Sequence, residues 1–344
     1  MEAMLLRRIC DLSQHPEPLE PAEVARPVPG AGEVLVRVSV CGVCHTELDE
    51  IEGRTPPPRL PVIPGHQIVG RVEETGEGVE DLRRGERVGI AWIHSACGRC
   101  RYCRSGRENL CADFVATGRD VDGGYAAFAR VPAAFAHRLP DALDDAAVAP
   151  LLCAGAIGYR SLRLSGLEDG ETLGLSGFGA SGHLVLQMVR HRFPRSRVAV
   201  FARSERQRAF ARSLGAHWAG GIDEAPPQPL RAVIDTTPAW RPDVAALGHL
   251  EPGGRLVINA IRKEEGDKRA LLDLDYPRDL WLEKEIRSVA NVTRADVREF
   301  LALAAAMGLR PEVREFPLAQ ANRALRELRS GHGRGALVLR VAAG

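Results

Sequence analysis

Two rhythms of apolar and polar residues divide the chain. Up to about residue 150, short Val/Ile/Leu runs such as Glu33-Val34-Leu35-Val36-Arg37-Val38 and Ile68-Val69-Gly70-Arg71-Val72 are separated by Gly- and Pro-rich turns. That pattern predicts short strands and a mostly β segment. Beyond about 155, apolar runs alternate with helical stretches: Thr172 to Ser176 precedes a helix near 181–191, and Val198 to Ala202 a helix near 205–214. Ala232 to Ile234, Leu256 to Ala260 and Ile286 to Val289 continue the series. Alternation of this kind builds a parallel sheet by βαβ crossovers. From about 290 the chain predicts helices near 295–307 and 318–329 and a last strand, Ala336 to Val341, a tail able to pack back onto the first segment.

Length agrees with this division, because 344 residues at about 150 per domain make two domains. Lys and Arg total 46 against 45 Asp and Glu, a net charge of +1. Such neutrality argues against nucleic acid or an anionic membrane as partner. No apolar run has membrane-span length, and Met1–Cys10 lacks a signal-like apolar core, so the expected location is the cytoplasm. Only Lys263, Lys268 and Lys284 are lysines; the other basic residues are arginines.

The eight cysteines, at 10, 41, 44, 97, 100, 103, 111 and 153, all lie in the first 153 residues. In a reducing compartment such clustering reads as metal binding before disulfides. Cys97, Cys100, Cys103 and Cys111 form C-x2-C-x2-C-x7-C. Four thiolates on one loop close a tetrahedral shell, the pattern of structural zinc. An iron–sulfur cluster takes the same ligands, but the last spacing is not the C-x3-C-P of bacterial ferredoxins. Cys44, His66 and Cys153 are scattered, and each alone has a bland explanation as a buried thiol or core histidine. Together they make a Cys2His set, which leaves a fourth zinc position open.

Gly177-Phe178-Gly179-Ala180-Ser181-Gly182 is G-x-G-x-x-G between an apolar strand and a helix, the context that turns a weak motif into a dinucleotide-binding one. Gly177 and Gly179 permit the tight turn and close backbone approach to a pyrophosphate, and Gly182 permits helix packing. The next strand ends in Ala202-Arg203-Ser204, without the carboxylate that NAD-selective folds present to the ribose. Arg203 and Ser204 suit a 2′-phosphate, which favours NADP(H) over NAD(H). Glu205 nearby, or stacking of Arg203 on adenine, leaves the other assignment open.

Taken together, CGVCHT (41–46), PGH (64–66), the four-cysteine lobe, LLCAG (151–155), GFGASG (177–182) and Arg294-Ala295-Asp296 resemble the zinc-containing medium-chain alcohol dehydrogenases over essentially the whole chain. The resemblance implies an α/β protein with a GroES-like, mostly-β catalytic domain at 1–155 and a Rossmann doubly wound parallel-sheet domain at 156–289. It implies that 290–344 returns to the catalytic domain, that each subunit holds two zincs, and that the protein is a homodimer or homotetramer. By position, Cys44, His66 and Cys153 look like catalytic-zinc ligands, Thr46 like the hydroxyl that takes the alcohol proton, and Trp92 like an aromatic wall of the alcohol pocket. Cys41 is not a ligand in that pattern.

Three departures stand out: Gln67 where Gly-His-Glu is common, Glu47 where Asp is common, and Asp49 where many relatives place a relay histidine. An aspartate does not shuttle protons at neutral pH as an imidazole does. The expected chemistry is reversible hydride transfer between a primary or secondary alcohol or aldehyde and NAD(P). The alternative, suggested by the three departures, is a catalytically weak nicotinamide-binding paralogue that acts as a redox-responsive binding protein. A nucleic-acid zinc finger is excluded by the neutral charge and the missing histidine pair.

Overall fold

The computed structural model describes residues 1–331 and 335–341. They fall into two compact units, Met1–Cys153 with Val292–Gly344, and Ala154–Asn291.

The first unit is built on a seven-stranded sheet in the order Val313–Pro317, Ala336–Arg340, Glu33–Val43, Ile68–Thr75, Arg87–Ile90, Ala136–Arg138, with Phe128–Pro132 also on Glu33–Val43. The first pair is parallel and the others are antiparallel. In Glu33–Val43, the β-branched Val34, Val36 and Val38 are fully buried while Arg37 faces solvent, as a pleated half-buried surface requires. Register shifts at Leu35/Val36 and Val38/Val40 bend this strand. Its first half pairs with Phe128–Pro132 and its last residues with Ala336–Arg340, so the C-terminal strand fixes the backbone just before Cys44.

The second unit is a six-stranded, wholly parallel sheet, Trp218–Gly220, Arg197–Phe201, Thr172–Ser176, Leu230–Asp235, Leu250–Ile258, Glu285–Ser288. Counted in chain order within the unit this is 3-2-1-4-5-6, the Rossmann arrangement. Strand order reverses between Thr172–Ser176 and Leu230–Asp235, and the crevice at their carboxyl ends is where such sheets bind ligands.

The helices expected near 181–191 and 205–214 are Ala180–Arg192 and Glu205–Ser213. The first tail helix is Arg294–Ala306, and the second opens as a 3-10 turn, Leu318–Gln320, before Ala321–Ser330. Helices His45–Ile51, Asp145–Pro150, Ala156–Ser165 and Arg241–His249 were not expected. The strand expected from Leu256 begins at Leu250, through Pro252-Gly253-Gly254, residues that ordinarily punctuate a strand.

Candidate functional site

Cys44 caps the short helix His45–Ile51 directly after the long strand. Helical geometry turns Glu47 back on the cap: its Oε2 accepts the Cys44 N–H at 2.7 Å, and its Oε1 lies 2.7 Å from Nδ1 of His66. One fully buried carboxylate therefore ties the backbone of one sulfur-bearing residue to the ring of the imidazole. Burial raises the Glu47 carboxyl, and the charge of His66 opposes that rise.

His66 follows Gly65, whose φ of 98° excludes ordinary side chains. A Cβ there would collide with the Tyr125 ring and stand 2.9 Å from the Cys41 sulfur. Gly124 donates to the Gly65 carbonyl at 2.9 Å and Tyr125 to that of Pro64 at 3.0 Å, so the 123–125 segment clamps the chain that presents His66. Cys41 packs here as a buried thiol.

Cys153 completes the set. The ligating atoms of Cys44, His66 and Cys153 all lie within 4.8 Å of one another, with the two sulfurs 3.9 Å apart. The hydrogen bond from Cys153 holds the Cys44 thiol well below its usual range, and the same bond, with burial, pushes Cys153 well above it. Among the described residues neither ring nitrogen of His66 has a hydrogen-bond partner, and Nδ1 faces Glu47 as an ion pair while Nε2 has no such neighbour. Two soft sulfurs and an orphaned imidazole nitrogen fit a zinc ion, since about 2.3 Å metal–sulfur bonds set tetrahedral sulfurs about 3.8 Å apart. Thr46 places its Oγ1 3.6 Å from the Cys44 sulfur. Asp49, on the same helix, forms an ion pair with Arg54.

The four-cysteine lobe is equally compact. Sulfur atoms of Cys97 and Cys103 are 3.9 Å apart, those of Cys100 and Cys103 3.6 Å, and all four with Cys111 lie within 4.8 Å. The Cys97 sulfur accepts the Cys100 N–H at 3.4 Å, and backbone N–H groups, Arg99 foremost, pull this thiol down to about 6. Cys103 is pushed up to about 12, by burial before the neighbouring sulfurs. A set of thiols in which one is already acidic suits a cation that takes all four as thiolates.

Trp92 is buried, 5.3 Å from the Phe114 ring, with the Arg119 guanidinium 5.5 Å from its own ring. Its indole N–H is buried without a hydrogen-bond partner among the described residues.

In the second unit, Gly177 has a φ of 81°, and a Cβ there would stand 2.6 Å from Thr236 Oγ1. Gly179 caps the helix Ala180–Arg192 with nothing within 4 Å of a Cβ position, which leaves its backbone open to a ligand. A Cβ on Gly182 would stand 2.7 Å from the Gly177 carbonyl. Ala180 is exposed, Ser181 half-buried, and Phe178 is buried with its ring 5.7 Å from Phe210. Gly177–Gly182 thus forms a glycine turn at a helix N-terminus, an arrangement whose chemistry suits a phosphate group. Ser204 caps the helix Glu205–Ser213, accepting the Gln207 N–H at 3.3 Å. Arg203 is exposed and makes no ion pair among the described residues, whereas Glu205 is held by Arg208 and Arg212.

Sequence reasoning missed the double contact of Glu47 and the polar groups at the end of Leu230–Asp235. The capping-box spacing from Cys44 to Glu47 was the available signal for the first. For the second it was the position at the carboxyl end of a parallel strand.

Known proteins give the family. The alcohol dehydrogenase GroES-like domain matches residues 30–141. A probable alcohol dehydrogenase AdhA from Mycobacterium tuberculosis (strain CDC 1551 / Oshkosh) is 45% identical over 329 residues, 94% of this chain and 93% of its own length. An alcohol dehydrogenase of Geobacillus stearothermophilus is 36% identical over 332 residues, 94% of this chain and 96% of its own. A solved thermostable alcohol dehydrogenase from Pyrobaculum aerophilum superposes with a TM-score of 0.87 at 27% identity, covering 99% of both chains. With its GroES-like and Rossmann units, this chain belongs to the zinc-containing medium-chain alcohol dehydrogenase family.

Proposed function

We propose that the chain is a zinc-dependent alcohol dehydrogenase that moves hydride reversibly between a primary or secondary alcohol or aldehyde and a nicotinamide, with NADP(H) favoured. The observation that carries the reading is the convergence of Cys44, His66 and Cys153 within 4.8 Å. Zinc held by these three residues supplies Lewis-acid polarisation of an alcohol oxygen, and the nicotinamide supplies the hydride acceptor. Thr46 takes the alcohol proton at Oγ1. Glu47, with its Oε1 2.7 Å from Nδ1, favours a proton on that nitrogen and so leaves Nε2 as the metal-facing one. Asp49, held by Arg54, stands three residues after Thr46 on the same helix and does not replace a relay imidazole. Trp92 forms an aromatic wall of the alcohol pocket. Cys97, Cys100, Cys103 and Cys111 hold a second, structural zinc.

Support for NADP(H) comes from the exposed guanidinium of Arg203, unpaired among the described residues, and from the neutralisation of Glu205 by Arg208 and Arg212. Support for a homodimer or homotetramer comes from the sheet edge Glu285–Ser288, whose four residues are all exposed. Ile286 on that strand and the nearby Trp281 and Leu282 are each at least half exposed, an unprotected edge that a second copy would cover. No described helix is long and apolar enough to cross a membrane. The eight free thiols suit the cytoplasm. The redox-responsive binding protein is the weaker reading, because Glu47 still reaches His66 despite its extra methylene.

The test is a turnover panel crossing NADH and NADPH with short, branched and aromatic aldehydes, run beside elemental analysis. Two zincs per chain and turnover on any of these substrates are expected. A zinc-loaded protein inert on the whole panel would favour the binding protein.

A further inference from the structure

Away from the cysteines, the second unit buries a charge cluster that hydride transfer does not use. Lys263, in the loop after Leu250–Ile258, is 8% exposed, and its Nζ faces four oxygens. They are Oδ2 of Asp235 at 2.7 Å, Oδ2 of Asp243 at 2.6 Å, and the carbonyls of Thr237 and Ala239 at 3.1 and 2.9 Å. Asp235 is fully buried and Asp243 is 6% exposed. An ammonium has three protons for these four oxygens. Burial, with the charge of Asp235 beside it, pushes Asp243 up to about 7, so near neutrality the second carboxylate is only partly charged.

Three segments meet on this one nitrogen: the end of Leu230–Asp235 with the loop to Ala239, the first turn of Arg241–His249, and the loop after Leu250–Ile258. Asp267 reinforces the junction by accepting the N–H groups of Trp240 and Arg241 at 2.9 and 2.8 Å. From Asp235 the hydrogen bonds run on toward the glycine turn. Thr237 Oγ1 donates to Asp235 Oδ1 at 2.9 Å, and Thr236 Oγ1 donates to the carbonyls of Ser176 and Gly177 at 3.1 and 3.4 Å. The Thr236 hydroxyl also occupies the space that a Cβ on Gly177 would need. The choice of lysine is itself informative in a chain where Lys supplies only three of 46 basic residues. A compact ammonium can meet oxygens from several directions, which a planar guanidinium cannot.

We infer that Lys263 is a positioning residue for dinucleotide binding: by clamping Asp235, Asp243 and the Thr237–Ala239 carbonyls it holds Thr236 against Gly177 and so sets the shape of the pyrophosphate turn. The inference rests on the reading that a dinucleotide occupies Gly177–Gly182. A buried ion cluster kept only for stability would leave cofactor affinity unchanged in any variant that still folds. A positioning role instead moves the affinity and KM for cofactor and spares kcat once cofactor is saturating.

The experiment titrates NADPH and NADH calorimetrically into the full-length zinc-loaded protein and into Lys263→Met, and measures steady-state kinetics on both. Lys263→Met is expected to weaken the binding of both dinucleotides about tenfold and to raise their KM by the same factor, with kcat at saturation within about twofold. Because Lys263→Met strands a buried carboxylate, it can fail to fold. Thr236→Val is therefore made in parallel, since it removes only the hydroxyl step to the Ser176 and Gly177 carbonyls. Its expected loss is about threefold in affinity, again with kcat spared. Folded variants that bind within measurement error of the parent overturn the inference. A parent protein that binds neither dinucleotide overturns the cofactor reading itself, a result visible before any variant is examined.

Discussion

The unit Met1–Cys153/Val292–Gly344 carries all eight cysteines, and the unit Ala154–Asn291 carries none. The first brings together sulfur and imidazole atoms that suit a cation, and their placement comes from buried contacts such as Glu47 to His66. The second presents glycine backbone, a helix N-terminus and arginines, which are the means of holding phosphate. Within the first unit there is a further contrast. Cys97, Cys100, Cys103 and Cys111 come from 15 consecutive residues and form a closed thiolate set, whereas Cys44, His66 and Cys153 span 110 residues and leave an open one. A local closed set adds folding energy to its lobe, and an assembled open set adds reactivity to a sheet that already holds its shape.

The sharpest way to break this division of labour is to remove a ligand of the open set. Cys44→Ser, His66→Ala and Cys153→Ser are each expected to lower kcat/KM by on the order of 10³-fold or more, the scale of losing several kcal/mol of Lewis-acid stabilisation. Dinucleotide affinity should stay within about twofold, because Gly177–Gly182 belongs to the other unit. Fluorescence titration checks the second half. If all three variants also lose cofactor affinity, the two units are not separable in this way.

Cys97→Ser tests the closed set. It should lower the melting temperature by on the order of 10 °C and release one zinc of two, while the folded fraction keeps most of its kcat. Calorimetry with elemental analysis decides it. An unchanged melting temperature with intact zinc content would mean that the lobe does not need a four-sulfur shell.

What could be read in the sequence follows the same contrast. The four-cysteine set was legible from spacing alone, because its geometry is local. The set of Cys44, His66 and Cys153 was legible as a donor combination, but its assignment by position came from the resemblance, since no spacing rule brings residue 153 beside residue 44. The parallel sheet followed from strand–helix alternation and its Rossmann class from the resemblance, while the strand order itself shows only in the pairing of the strands. The helix His45–Ile51 was invisible because it is two turns long and is capped by Cys44, a residue absent from the usual cap preferences. The Lys263 cluster was equally hidden, for it exists only when a strand end, a helix turn and a loop fold onto one nitrogen, with Asp235 and Lys263 28 positions apart. The effect of Glu47 was half legible. The sequence shows a longer acid than usual, while the contact it still makes with His66 depends on a helix that was not foreseen.

That contact gives the next test in size. Glu47→Gln keeps the volume and the bond to the Cys44 N–H but removes the charge beside His66. Zinc affinity or kcat is expected to fall about 10- to 100-fold, the usual effect of altering a carboxylate behind a metal-binding histidine. Competition with a chelator, read together with kcat, separates loss of metal from loss of orientation. Retention of both would mean that the ring is held by its packing among Gly65, Tyr125 and their neighbours alone.

The smallest expected effect lies in the other unit and should leave zinc untouched. Arg203 stands just beyond the strand Arg197–Phe201, exposed and free of any ion pair among the described residues, where an NAD-selective site would present a carboxylate. The neighbouring Glu205 is already engaged by Arg208 and Arg212, so repulsion of a 2′-phosphate from that side is reduced. An exposed arginine–phosphate contact competes with water and salt, which limits its contribution to about 1–1.5 kcal/mol, or about tenfold in KM. Arg203→Ala should therefore raise the KM for NADPH about tenfold and that for NADH less than about twofold, with kcat and zinc content unchanged. The difference between cofactors should shrink as salt rises, because only the phosphate contact is screened. Equal changes for NADPH and NADH at every ionic strength would show that Arg203 stacks on the adenine common to both, and would leave the choice of cofactor to Glu205 and the arginines that hold it.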